Sequence, residues 1–210
     1  MTRSVLVGSF LLLALLSPSR AQAPPQARPL LNEDRSTFST KGHPKANGLN
    51  LTIAYPRGWV AKEGVRPHVV QTLINEGSPA LENAMILVND LGFAKGTTLT
   101  EKEMLEALAP SELRKALPAG ATLLSVQTTR IEGIPAGSLE YRLRGERAGM
   151  VLYLQYWKLD FIAGGSLVTV LFSVFSPNDS SQAAQQMAKF RPLFTQMANS
   201  IVLPDKWASP

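Results

Sequence analysis

"MVLYLQYWKLDFIAGGSLVTVLFSVF", residues 150–175, decides the fold. Two runs, Met150 to Ile162 and Ser166 to Phe175, are apolar at odd and even positions alike. Side chains of a strand point alternately to opposite faces, so a strand that is apolar throughout must be covered on both. The stretch therefore predicts a central sheet between two layers rather than a sheet with one wet face.

The segments before it supply more strands. "SLEYRLR" (Ser138 to Arg144) alternates, with Leu139, Tyr141 and Leu143 on one side and Glu140, Arg142 and Arg144 on the other. "TLLSVQTTRI" (Thr122 to Ile131) leads into it through "EGIPAG". Further upstream, His68 to Asn75 and Asn83 to Asp90 are rich in β-branched and long apolar residues and read as strands. Leu49, Leu51, Ile53 and Tyr55 alternate with Asn50, Thr52 and Ala54 until Pro56 stops the strand.

Pro56-Arg57-Gly58-Trp59 then makes a structural corner: proline fixes its own φ, Gly58 tolerates a positive one, and Trp59 turns back over the sheet. The competing reading of the same residues is a ligand platform of Trp59 with Arg57 and Lys62.

Helical signals are separate from these. Thr100 followed by Glu103 is a capping box, with Met104, Leu105 and Leu108 at helical spacing behind it. Ser111 is expected to cap a second short helix through Leu117, closed by Pro118 and Gly120. After the last strand, Asp179 and Ser180 can cap a helix whose Ala183, Met187, Phe190, Phe194, Met197 and Ile201 form one apolar stripe. Pro192 lies inside it and predicts a kink or a restart.

The N-terminus reads as an export signal. Arg3 precedes an unbroken apolar run from Val5 to Leu16 that is short of the ~20 residues needed to span a bilayer. Small residues at Ser19 and Ala21, or Ala21 and Ala23, supply a cleavage site, and cleavage after Ala21 keeps Pro24 clear of the cut. The alternative is a retained membrane anchor. Cleavage takes 21 residues and two arginines from a chain of 210 with 21 Lys+Arg and 16 Asp+Glu, leaving 189 residues and a net charge of +3. This mild excess is not clustered as a nucleic-acid surface requires.

The expected organisation is a signal peptide over residues 1–21, a Pro-rich flexible tether over 22–48, a single domain over 49–203 and a C-terminal tail over 204–210. With no cysteine, the chain has no disulfide, no lipid-modified N-terminal cysteine and no thiolate ligand. Its Ala- and Gly-rich composition points to a bacterial periplasmic or secreted protein, in which the sequons at Asn50 and Asn178 are accidental.

Catalytic chemistry finds little to work with. Two histidines, His43 and His68, exclude a three-histidine metal site, and neither HExxH nor CxxC occurs. Ser166 in "AGGSLV" departs from GxSxG because Val168 replaces the second glycine, and a nucleophile there would need His68 as its base. Gly92 and Gly96 do not meet phosphate-loop spacing, since Lys95 precedes the glycine. Glu103 and Glu106 share a helix face but sit where the helix dipole favours acids in any case. No cofactor and no metal are expected.

One surface cluster invites a binding reading. Arg142, Arg144, Arg147 and Lys158, with Tyr156 and Trp157 on the returning strand, are expected to form a basic hairpin face for an anionic partner. The plainer reading is a charged exterior face that discourages edge pairing.

Three motifs, "GLNLTIAYPRGW" (Gly48 to Trp59), "IEGIPAGSLEY" (Ile131 to Tyr141) and "FTQMANSIVL" (Phe194 to Leu203), resemble the PsbP/DcrB-like group of exported bacterial and thylakoid proteins. The resemblance implies an α+β fold, an α/β/α sandwich with a central, mainly antiparallel sheet flanked by helices. It also implies a non-enzymatic accessory role in the envelope. The matching positions are turn and core residues, so no functional residue carries over. The chain is thus expected to bind an unidentified envelope protein, with neither nucleic acid nor a membrane span involved after signal cleavage. The alternative is a periplasmic carrier holding a small apolar ligand between sheet and helix.

Overall fold

The computed structural model describes residues 34–94, 97–147, 149–177 and 179–207. The expected signal peptide and the first part of the expected tether lie outside them.

Strands β1 (Arg35–Ser39) and β2 (Thr52–Pro56) form an antiparallel pair. Strands β3 (Val60–Glu63), β4 (Val69–Ile74), β5 (Asn83–Asp90), β6 (Thr122–Ile131), β7 (Ile134–Arg147), β8 (Met150–Ala163) and β9 (Ser166–Ser176) build the main sheet. Its seven strands are ordered β3-β4-β5-β9-β8-β7-β6, and every neighbouring pair is antiparallel. The two doubly apolar strands, β8 and β9, sit centrally and pair along their length, as their sequence requires.

Helices α1 (Glu101–Ala107) and α2 (Pro110–Lys115) precede β6, while α3 (Ser180–Asn199) and α4 (Pro204–Trp207) close the chain. One face of the sheet packs on α3. Phe194 stacks on Phe172 with ring centroids 4.9 Å apart, and Phe172 stacks on Trp157 at 5.1 Å. The β1–β2 pair extends this layer, Trp59 meeting Phe194 edge-on at 6.4 Å and Ala54 N–H donating to Ser200 Oγ at 2.8 Å. The opposite face carries α1 on β7 and α2 on β6 and β7. Leu113 of α2 comes so close to Gly137 that a Cβ there would lie 2.5 Å from Leu113 Cδ1. The protein is therefore an α+β fold, a large antiparallel sheet with helices on both faces. The second layer is partial: Met85 and Leu87 on β5, with Leu167 and Leu171 on β9, stay half-buried on the opposite face.

Several expectations need correction. Residues 34–48 are not a tether but part of the fold. Phe38 packs against the core, Thr40 is buried with its hydroxyl donating to Leu49 O at 2.6 Å, and Pro44 opens a 3-10 turn ending at the fully buried Ala46. Proline is suited to a first helical position, so a Pro-rich composition was compatible with ordered turns. The start of the expected tail is likewise ordered, with α4 placing Trp207 Nε1 3.0 Å from Glu132 Oε2. The second short helix is capped at Ala109 with Pro110 in its first turn, not at Ser111. Pro192 neither ends nor restarts α3, which is continuous. Leu193 and Ala198 join its buried stripe.

At the Pro56 corner, Trp59 N–H donates to Pro56 O at 3.0 Å and the indole is buried. Burial removes Trp59 from any ligand platform, and Lys62 pairs with Glu76. Gly58 does not use the left-handed region, so the turn does not require a glycine there.

Candidate functional site

The expected basic hairpin face does not assemble. Direct cross-strand partners share a face, and Arg142 is opposite Gln155 whereas Lys158 is opposite Leu139. Arg142 and Arg144 therefore lie on the α3 face and Lys158 on the other. Lys158 is consumed by an ion pair with the buried Asp160 at 2.7 Å, and Asp160 also accepts from the Thr169 hydroxyl at 2.5 Å. Trp157 is core, not surface. Its Nε1 donates to Ser138 Oγ at 2.9 Å, and the Arg191 guanidinium covers its ring at 3.9 Å.

Arg142 is held in a chain of polar contacts that runs along the α3 face. Arg191 donates to Glu140 at 2.8 Å, Gln155 Nε2 donates to the other Glu140 oxygen at 2.8 Å, and Arg142 Nε donates to Gln155 Oε1 at 3.1 Å. Arg144 is exposed beside this network, at a hollow of about 220 Å³ near Ser180. Arg147 pairs with Met150 at the end of the ladder.

A larger cleft opens at the end of the sheet where β8 turns into β9. Gly164 and Gly165 both have positive φ, 56° and 75°, and close a two-residue hairpin between the paired Ala163 and Ser166. Positive φ at both central residues matches the strand twist, which is why glycines serve here. Leu91 N–H donates to Gly165 O at 3.2 Å, tying the end of β5 to the turn. Asp90 turns the chain by accepting from Gly92 N–H at 2.8 Å, and the segment then runs to Thr100, the N-cap of α1. The capping box predicted from Thr100 and Glu103 is present, with the Thr100 N–H donating to Glu103 at 2.7 Å. It holds the Glu103 carboxyl below its usual range, chiefly through that backbone bond. The cap orients α1 so that Met104 faces the cleft.

The cleft holds about 660 Å³. Phe93, Leu99, Met104, Ile134 and Ile162 form its apolar wall, with Asn47, Thr97, Thr98 and Asp90 around them. Two neighbouring hollows continue it: one of about 310 Å³ toward Leu203 and Lys206 shares Asn47, Ile134, Ala163 and Gly164, and one of about 580 Å³ toward Lys45 and His68 shares Asn47 and Asp90. The three form a trough across the sheet end, with Asn47 common to all. Asp90 is the one ionisable side chain among the described lining residues of the main cleft. Ser166 lines it but is 1% exposed, and no hydrogen bond joins it to His68 among the described residues. Among the described residues no three His, Cys, Asp or Glu side chains come together as metal ligands. The apolar wall suits binding of apolar surface.

Of the wall residues, sequence reasoning named Met104, and that only as part of the apolar stripe of α1; Phe93, Leu99 and Ile134 carried no signal. The signal available in the sequence is the pair Gly164-Gly165 together with Gly92 and Gly96, which fail phosphate-loop spacing and read better as a β-turn before the capped helix.

No family model matches the chain, and no curated protein matches it. Among solved structures it is similar to PsbP (CyanoP) from Synechocystis sp. PCC 6803, with a TM-score of 0.46, 17% identity, and coverage of 81% of this chain and 92% of that one. It is similar to LpqN of Mycobacterium tuberculosis at a TM-score of 0.46 and 12% identity over 80% of this chain and 90% of that one. A third is the Ran-binding protein Mog1p of Saccharomyces cerevisiae, at 0.47 and 11% over 82% and 97%. These values describe a partial overlap in the course of the chains. Among the described residues, no helix is long and apolar enough to cross a membrane.

Proposed function

We propose that this chain is an exported, non-enzymatic accessory protein that binds another protein of the bacterial envelope through the cleft at the β8–β9 turn. The observation that carries the reading is the trough itself: an apolar wall, open to solvent, prolonged on both sides past Asn47. A trough of that form suits an extended segment presenting an apolar side chain to Phe93, Met104 and Ile162. Export rests on Arg3, the Val5 to Leu16 run and the small residues Ser19 and Ala21. The hairpin arginines Arg142 and Arg144 are a secondary surface, since Arg142 is already engaged by Gln155.

A second reading has a specific observation behind it. The main cleft, at about 660 Å³, falls within the ~300–1,000 Å³ typical of small-ligand sites, so a carrier of a small apolar molecule fits the same walls. In this reading the ligand lies between the sheet end and α1.

Recovery of the tagged chain from its native envelope separates the two. With protein binding at the cleft, a co-purifying protein is retained by Arg144→Ala and lost, by at least tenfold, from Met104→Gln with Phe93→Ser. A carrier instead yields a small molecule by native mass spectrometry that the same double substitution removes. A partner lost on Arg144→Ala and kept by the cleft variant contradicts the assignment of the cleft.

A further inference from the structure

We infer that β6 is a dimerisation edge, pairing antiparallel with β6 of a second copy so that one sheet runs through both. The two edges of the sheet are built differently. β3 is four residues long, exposed throughout and carries Lys62 and Glu63, the kind of short charged edge that resists pairing. β6 is ten residues long, has no proline, and has a single charged residue, Arg130. That charge is tied down within its own copy, donating to Gly133 O at 2.8 Å and pairing with Glu101 of α1.

No strand pairs with the outer side of β6 among the described residues. Among the described residues its ladder partner is β7 alone, and outside the ladders no backbone bond reaches Thr122 to Ile131. Its one irregularity, a register shift between Leu123 and Ser125, lies at one end and leaves Ser125 to Ile131 regular. Such a row of free N–H and C=O groups is a template for another strand.

The sequence of this row suits its own copy. A two-fold axis through Thr128 sets Gln127 opposite Thr129, Val126 opposite Arg130 and Ser125 opposite Ile131, each pair on a common face. No like charges meet: the two Arg130 side chains fall at opposite ends, each still beside its own Glu101. Gln127 and Thr129 offer cross-strand hydrogen bonds on the face that carries Ser138 and Ala136 on β7. One end of this edge adjoins the cleft, since Ile131 pairs with the wall residue Ile134, but the pairing does not depend on what the cleft binds.

The test uses the protein expressed from the whole sequence and purified as the cell processes it. Sedimentation at increasing concentration should give twice the chain mass. Thr128→Lys, an exposed position that would set two ammonium groups against each other on the axis, should halve that mass while leaving the thermal midpoint in place. The chain has no cysteine, so single thiols report register directly. Opposed Cβ atoms about 4.5–5.5 Å apart lie close to disulfide range, so Thr128→Cys should oxidise to a covalent dimer. Ser125→Cys, whose two copies stand about 20 Å apart in this register, should not. A wild-type chain that stays at single mass overturns the proposal. So does a dimer that survives Thr128→Lys and leaves Thr128→Cys no more readily linked than Ser125→Cys.

Discussion

Gly58 and Gly64 flank the same short strand and meet opposite surroundings. A Cβ on Gly64 would lie 2.2 Å from Val69 O and 2.4 Å from Val69 Cγ1, contacts that force backbone apart. Nothing stands within 4 Å of a Cβ on Gly58, whose φ is outside the left-handed region. Gly64→Ala should therefore lower stability by about 1–3 kcal/mol, as overpacking does, and Gly58→Ala should stay within about 0.5 kcal/mol. Urea midpoints of the two variants check this, and the reverse order would contradict it. Tyr141 makes a second single-residue case. It stacks on Tyr156 at 4.9 Å, and burial, with the charges of Tyr156 and Asp160 behind it, pushes its hydroxyl up from 10.0 to about 12. A raised acid holds its proton more tightly when folded, so the stability it contributes is complete below pH 10.0 and drains away as pH rises toward about 12. Tyr141→Phe should flatten the fall of the thermal midpoint across that alkaline range. An unchanged slope would assign the fall to other groups.

At the scale of elements, the α1 cap supports the cleft wall. Thr100→Ala removes the hydroxyl that accepts from Glu103 N–H at 3.3 Å, and should cut hydrogen-exchange protection across α1 by roughly fivefold. Glu103 sits below its usual value of 4.5, so its share of the cap is present above that pH and lost as pH falls through the lowered value. Acid should loosen α1 in the wild type and also in the Thr100→Ala chain, whose backbone N–H still donates to Glu103, but change little in Glu103→Gln. On the other face, Phe194 is fully buried between Trp59, Phe172 and Phe190. Phe194→Ala should cost about 3–5 kcal/mol in urea unfolding, and a cost under about 1 kcal/mol would mean α3 is not the core's lid. Strong periodic elements were legible in the sequence, and weak ones were not. β5 and β6 begin and end where polar residues and turn formers place them, and the Thr100 box marked α1 to the residue. β3 was missed because every one of its side chains is exposed, which leaves no alternation to read. β1 was missed because Phe38 is its one apolar residue among Arg, Ser and Thr, and its pairing with β2 is a long-range fact.

For the whole molecule, the doubly apolar β8 and β9 led correctly to a central sheet covered on both faces, while its antiparallel order and flanking helices were implied by the resemblance rather than by these strands. They did not reveal that the second layer covers β6 and β7 while β5 and β9 stay half-open. The expected basic face failed for a reason of register: Arg142 and Lys158 are near in sequence pattern but on opposite sides of one sheet. The cleft could not be read in advance because its walls come from the 3-10 turn, the segment after β5, α1, the start of β7 and the β8–β9 turn. No local spacing encodes such an assembly. The central claim, that this cleft is where the protein meets its partner, is tested most directly by photocrosslinking in the native envelope. A photoreactive residue replaces Phe93 in one strain and Arg144 in another. The account predicts a discrete protein adduct from position 93 and at most a weak one from position 144. A discrete adduct from position 144 with none from position 93 would contradict it and return the partner to the hairpin arginines.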